Sequence, residues 1–243
     1  MSAEPRVGRT FGRVAAEYER ARPPYPREAV ELASGELGLT PDSDMLDLAA
    51  GTGKLTRILA QLFARVVAVE PDDAMRALIP GDARAGSAEE IPLPDASVDA
   101  VFVADAFHWF DPARALGEIA RVARPRGGLV VLSNDWFECE SPRIPPAARA
   151  RLDDVFARFQ PSRSSNKNWR VDVERVLGPL REAELTTEHS YDRSAMADLL
   201  LSTSTPAALD DDERAELRAV LHETLESGYM LTVRTSIYWA RLP

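Results

Sequence analysis

Apolar residues recur along this chain in two rhythms, and the places where one rhythm gives way to the other mark its elements. From Asp44, the run Met45, Leu46, Leu48 and Ala49, with Asp47 inside it, predicts a short strand. The run breaks at Ala50, Gly51, Thr52 and Gly53, and Lys54 to Leu62 resumes at helical spacing. Arg65 to Val69 is a second, β-branched run closed by Glu70. Further apolar runs predict strands at Ala83 to Gly86, Ala100 to Ala104 and Leu129 to Leu132. Alternation predicts two closing antiparallel strands, Leu185 to Tyr191 and Met230 to Arg241, with helical segments Ala195 to Leu201 and Asp211 to Glu226 inserted between them. Helical spacing also covers Phe11 to Arg22, Arg27 to Leu37, Pro71 to Ile79 and Ala147 to Phe159, and a stretch capped by Asp111 that buries Leu116, Ile119, Ala120 and Ala123. The expected architecture is α/β: a doubly wound, seven-stranded mixed sheet with a leading helix and a late helical insertion.

The glycine turn narrows the ligand. Glycines let a nucleoside approach the backbone, and Glu70, 19 residues after Gly51, closes the next strand where a carboxylate can accept both ribose hydroxyls. A phosphate-binding loop needs glycine where Leu48 stands and serine or threonine where Leu55 stands, so that reading fails. A dinucleotide site needs a third glycine where Thr56 stands, which weakens that reading. A nucleoside without phosphate, and with a positive charge to suit Asp47, fits what is left. S-adenosyl-L-methionine has these properties.

The string Leu46, Asp47, Leu48, Ala49, Ala50, Gly51, Thr52, Gly53 resembles the first motif of class I S-adenosylmethionine-dependent methyltransferases. The resemblance implies a Rossmann-like fold, that cofactor, and contacts to it from Asp47, Ala49, Gly51, Thr52, Gly53, Glu70, Pro71 and Ala104. Met75 has a thioether that can flank an adenine ring or simply fill core. The stretch from Ser87 to Asp99 resembles the family's segment after the third strand, whose opening touches the adenine edge. An acid is common where Ser87 stands, so the backbone of Ser87 and Ala88 and the Ser87 hydroxyl must read adenine, with Glu89 as the nearest alternative acid. Arg22, Pro23, Tyr25 and Pro26, preceded by Tyr18, resemble a lid over the cofactor mouth. There Arg22 can pair with a ligand carboxylate and Tyr18 can donate a hydrogen bond to it; the alternative is a packed helix with a solvated arginine.

Chemistry at the acceptor points to the end of the fourth strand, where doubly wound sheets bind ligands. His108, within Phe107, His108, Trp109, Phe110 and Asp111, is the candidate general base, and Asp105 is the second. As alternatives, His108 is a hydrogen-bonded residue of the pocket wall, and Asp105 caps the turn or meets the cofactor. His189 and His222 have no motif around them. The His-Trp-Phe-Asp string, and Leu201 to Ser204 with Asp212 to Arg214, resemble the trans-aconitate-type small-molecule enzymes. That resemblance implies a small organic acceptor, methylated at oxygen. A cofactor-binding protein without turnover and a methyltransferase of a protein acceptor are the alternatives.

Composition adjusts this picture modestly. A net charge of −10 argues against a nucleic-acid partner, and among 29 basic residues only Lys54 and Lys167 are lysine. Cys139 is the single cysteine, which excludes an intrachain disulfide and a cysteine-rich zinc site, and no metal site is expected. No leader-like or membrane-length apolar stretch is found, so a cytoplasmic enzyme is expected. One domain spans 1–243, with a cap over 1–38, a cofactor core over 39–134 and substrate-side elements over 135–243. In the last part, Asp135, Trp136 and Phe137 open the substrate pocket, Pro142 to Pro146 form a rigid turn, Ser162 to Asn168 form a loop, and Trp169 anchors its return.

Overall fold

In the computed structural model the residues described are 11–136, 144–158, 166 and 168–242. Phe137, Cys139, Pro142, Phe159 and, within the expected loop from Ser162 to Asn168, residues 162–165 and Lys167 lie outside them, so the turn and loop expected there are not placed. A 3-10 turn, Phe11–Val14, leads into α1 (Ala15–Ala21), followed by α2 (Arg27–Glu36), β1 (Asp44–Leu48), α3 (Lys54–Leu62), β2 (Arg65–Val69), α4 (Asp73–Arg76) and β3 (Asp82–Arg84). Then come β4 (Val98–Ala104), a 3-10 turn at Phe107–Trp109, α5 (Pro112–Val122) and β5 (Ala123–Asp135). The rest comprises α6 (Pro146–Arg158), α7 (Trp169–Leu177), β6 (Arg181–Asp192), α8 (Arg193–Leu201), α9 (Ser204–Ala207), α10 (Asp211–Thr224) and β7 (Gly228–Arg241).

The seven strands form one mixed sheet in the order β3-β2-β1-β4-β5-β7-β6. Pairings β1 with β2, β1 with β4, β2 with β3 and β4 with β5 are all parallel. Strands are added outward on one side from β1 to β3 and on the other from β4, so the strand order reverses between β1 and β4, and a parallel sheet opens a crevice at the carboxyl ends of its strands at such a point.

The structure differs from the periodicity in instructive ways. The helix expected over Phe11 to Arg22 begins as a 3-10 turn, and the one expected over Pro71 to Ile79 shrinks to α4, capped by the Asp72 carboxylate accepting from the amides of Ala74 and Met75. The insertion holds three helices, α8 to α10, instead of two. β5 begins at Ala123, well before the apolar run, with a register shift against β4 and Arg126 at φ 66°. Helix α7 had no counterpart in the periodicity.

Two compact units divide the chain. The second comprises 24–134, 165–185 and 234–243, and alternate strand residues feed cores on the two faces of its sheet. Leu46, Val101 and Ile119 belong to one of these cores, and Met45, Phe102 and Leu59 to the other. The first comprises 1–23, 135–164 and 186–233, with its own core of Leu199, Leu200, Leu217, Leu221 and Val233.

Candidate functional site

Register places the ends of β1, β2 and β4 side by side: Leu48 opposes Val69, and Asp47 opposes Phe102. The chain leaves β1 in a tight path that needs left-handed backbone, with φ 56° at Ala49, 59° at Gly51 and 82° at Gly53. A second feature favours glycine at Gly53, because a β-carbon there would lie a tight 3.2 Å from the Ile79 backbone. At Gly51 a β-carbon would meet no atom, so its open side is free for a ligand to approach the chain.

Glu70 is buried beneath this turn. One carboxylate oxygen accepts the Gly51 amide at 2.8 Å and the other the Asp72 amide at 2.9 Å. Burial, helped by the nearby charges of Asp72 and Asp47, raises its pKa to about 7 against these bonds. Asp47 is buried inside β1, with one oxygen accepting the Thr56 hydroxyl at 2.5 Å. Burial likewise raises its pKa to about 7. Among the described residues, the other Asp47 oxygen, Oδ1, and the buried Thr52 hydroxyl have no hydrogen-bond partner. Buried polar atoms are nearly always paired, so these two mark a place where a polar ligand completes the set. Together with the open side of Gly51, they fit a nucleoside-bearing ligand that carries positive charge.

The remaining expected contacts line the same end of the sheet less uniformly. Pro71 links Glu70 to Asp72, and Met75 is buried in α4. Ser87 bridges Glu90 through backbone, and Ala88 beside it is buried. Glu89 does not stand free as an adenine reader, because its carboxylate accepts the Asp111 amide at 3.0 Å. Ala104 ends β4 opposite Leu132.

After Ala104, Asp105 takes φ 50° and donates its amide to Leu132. Its carboxylate accepts the Tyr25 hydroxyl at 2.8 Å and the Asn134 amide at 2.9 Å. His108 follows in the 3-10 turn, its ring 4.7 Å from that of Trp109. Burial lowers its pKa and the Asp105 charge opposes that, so the ring is neutral at physiological pH and able to accept a proton. The turn rests on aromatic side chains: Phe107 packs 5.1 Å from Phe110 and 5.3 Å from Trp169, which in turn meets Tyr238 at 5.5 Å. The Asn166 amide caps the His108 carbonyl at 2.9 Å.

Tyr18 and Arg22 belong to the first unit, and the rest of the set to the second. There Arg22 is neither solvated nor loose. It donates to the Ser202 hydroxyl at 3.0 Å and carbonyl at 3.1 Å, and its guanidinium stacks over the rings of Tyr18 and Trp136. Asn134, Thr235, Asn166 and Trp169 went unread as parts of the site because what links them to it is nonlocal hydrogen bonding and ring packing, which leaves no spacing signature. A groove of about 490 Å³ opens elsewhere, where the strands begin, beside Asp44, Arg65 and Asp82.

Comparison with known proteins converges on one family. A methyltransferase domain model matches residues 46–131. An uncharacterized methyltransferase-like protein of Schizosaccharomyces pombe is 33% identical over 230 residues, covering 88% of this chain and 85% of that protein. An uncharacterized methyltransferase of Mycobacterium tuberculosis is 50% identical over 132 residues, 51% of this chain and 52% of its own length. The chain thus spans about half the length of the mycobacterial relatives it matches. Among solved structures, a protein from Anaeromyxobacter dehalogenans assigned as a type II methyltransferase superposes with a TM-score of 0.64 at 27% identity, over 90% of this chain and 97% of that one.

Proposed function

The chain belongs to the class I S-adenosylmethionine-dependent methyltransferases, and from that premise we propose that it methylates a small organic acceptor at oxygen. The observation that carries the cofactor's place is the pair of unpartnered buried atoms, Asp47 Oδ1 and Thr52 Oγ1, beside the open side of Gly51 and above Glu70. When bound, the cofactor supplies an electrophilic methyl group on a sulfonium whose departure leaves a thioether. The protein's share is to bind, orient and exclude water. Glu70, pinned by two backbone amides, would hold the ribose hydroxyls by accepting from them. Asp47, ionised when a cation sits beside it, would supply negative charge in a buried setting where it is little screened.

Two features support an oxygen acceptor. A carboxylate acceptor is already ionised and needs no base, and a hydroxyl acceptor needs one, for which neutral His108 at the end of β4 is suited. The His108 to Asp111 string, which resembles the trans-aconitate-type enzymes, supports a small organic acid among such acceptors. The acidic chain supports a small molecule over a nucleic acid.

Calorimetry with S-adenosylhomocysteine tests the cofactor site, and Glu70→Ala is expected to weaken binding at least tenfold. A screen of organic acids, phenols and amines with methyl-labelled cofactor tests the acceptor. Transfer to acids or phenols is the expected result. Label entering only protein overturns the small-molecule reading, and tight binding without transfer to any acceptor leaves a binding protein without turnover.

A further inference from the structure

At the end of β4 a chain of polar side chains runs from the core to the segment entering α2. Thr235, fully buried in β7, donates its hydroxyl to the Asn134 carboxamide oxygen at 2.6 Å. The Asn134 backbone amide donates to Asp105 Oδ1 at 2.9 Å, and its side-chain amide donates to the Pro24 carbonyl at 3.3 Å. Tyr25 closes the chain with its hydroxyl on Asp105 Oδ2 at 2.8 Å. All of these groups lie in the second unit.

Two features mark this arrangement as more than filler. A valine at 235 would suit a buried strand position without a hydroxyl that needs a partner, yet threonine stands there with its hydroxyl satisfied. Asp105 holds φ 50°, a left-handed conformation that a non-glycine residue keeps where its surroundings dictate it. The carboxylate that would serve as a base is engaged on both oxygens, and using it would mean displacing one of these donors. His108 lies three residues farther along the same turn.

We propose that Tyr25, Asn134 and Thr235, acting through Asp105, are positioning residues that hold the 105–111 turn and present His108 to the acceptor; Asp105 is the strut of the site and not its proton acceptor. The inference deepens the methyltransferase reading and rests on it.

The test uses the full chain with Tyr25→Phe, Thr235→Val, Thr235→Ser and Asp105→Asn. Amide hydrogen exchange over 105–111 and S-adenosylhomocysteine affinity are measured for each, with kcat and KM for the acceptor found by the screen. Tyr25→Phe and Thr235→Val are expected to speed exchange over 105–111 at least fivefold and to lower kcat at least tenfold, with cofactor-product affinity within twofold. Thr235→Ser, which keeps the hydroxyl, is expected to restore both. Wild-type exchange and kcat in Tyr25→Phe and Thr235→Val, with turnover abolished only in Asp105→Asn, would overturn the proposal and make Asp105 the base. Equal loss in Thr235→Ser and Thr235→Val would overturn it too, since packing would then be the cause. The exchange measurement needs neither cofactor nor acceptor. Failure of the wild-type chain to bind S-adenosylhomocysteine therefore counts against the methyltransferase reading alone.

Discussion

Burial lifts the carboxyl groups of Asp47 and Glu70 to a pKa of about 7, well above the range of an exposed carboxylate. A carboxylate whose folded pKa lies above its unfolded value binds more protons when folded. In the free protein these two groups therefore lose stability as pH rises from about 4 towards 7. A cationic ligand beside Asp47, and hydroxyls donating to Glu70, favour the ionised forms and release protons on binding. Affinity for S-adenosylmethionine is thus expected to rise between pH 6 and 8, by up to about tenfold per pH unit for each proton released. Calorimetry in two buffers of different ionisation enthalpy would count the protons. Asp47→Asn should flatten the dependence, and an affinity independent of pH in the wild-type chain would rule the linkage out. Glu89 was less legible: the acid was visible, but its bond to the Asp111 amide joins residues brought together only by the fold.

At the scale of elements, the strongly patterned half of the chain reads well. β1, α3 and β2 match the expected runs because a parallel strand buried on both faces must be nearly all apolar, and its partner helix must carry one stripe. β6 begins at Arg181, before the expected start, because its early residues are largely exposed and carry no apolar signal. Helix α7 was hidden for a related reason: of its residues only Val173 is fully buried, and what anchors it is Trp169, read from the sequence as a loop anchor. The structure gives that side chain a larger role, packed between Phe107 and Tyr238 beneath the His108 turn. Trp169→Ala is expected to cost about 3 kcal/mol, the low end for truncating a large aromatic because the indole is only half-buried. Trp169→Phe should recover most of that. Urea unfolding, with the denaturant slope checked for constancy, measures both, and an unchanged midpoint in Trp169→Ala would remove α7 as the support of the turn.

Across the whole molecule, charge constrains the partner. The basic residues are almost all arginine, and the structure shows many of them engaged by acids within their own unit. In the second unit, Arg124 bridges Asp44 and Asp99 at 2.7 and 2.8 Å, and Arg65 also pairs with Asp44. In the first, Glu17 accepts from Arg214 and Arg218, both at 3.2 Å, and Asp198 from Arg20 at 3.0 Å and Arg218 at 2.6 Å. Arginines paired in this way have their charge locally cancelled, and a net charge of −10 opposes any polyanion. Non-specific binding of duplex DNA by basic proteins has dissociation constants of about 10⁻⁴ to 10⁻⁶ M and comes from clustered cations that displace counterions. This chain is expected to show no retention of a short duplex in a filter or anisotropy assay, even at low salt where such binding is strongest. Binding that weakens steeply with added salt would reveal a cationic surface these pairings do not predict, and would move the acceptor from a small molecule to a nucleic acid.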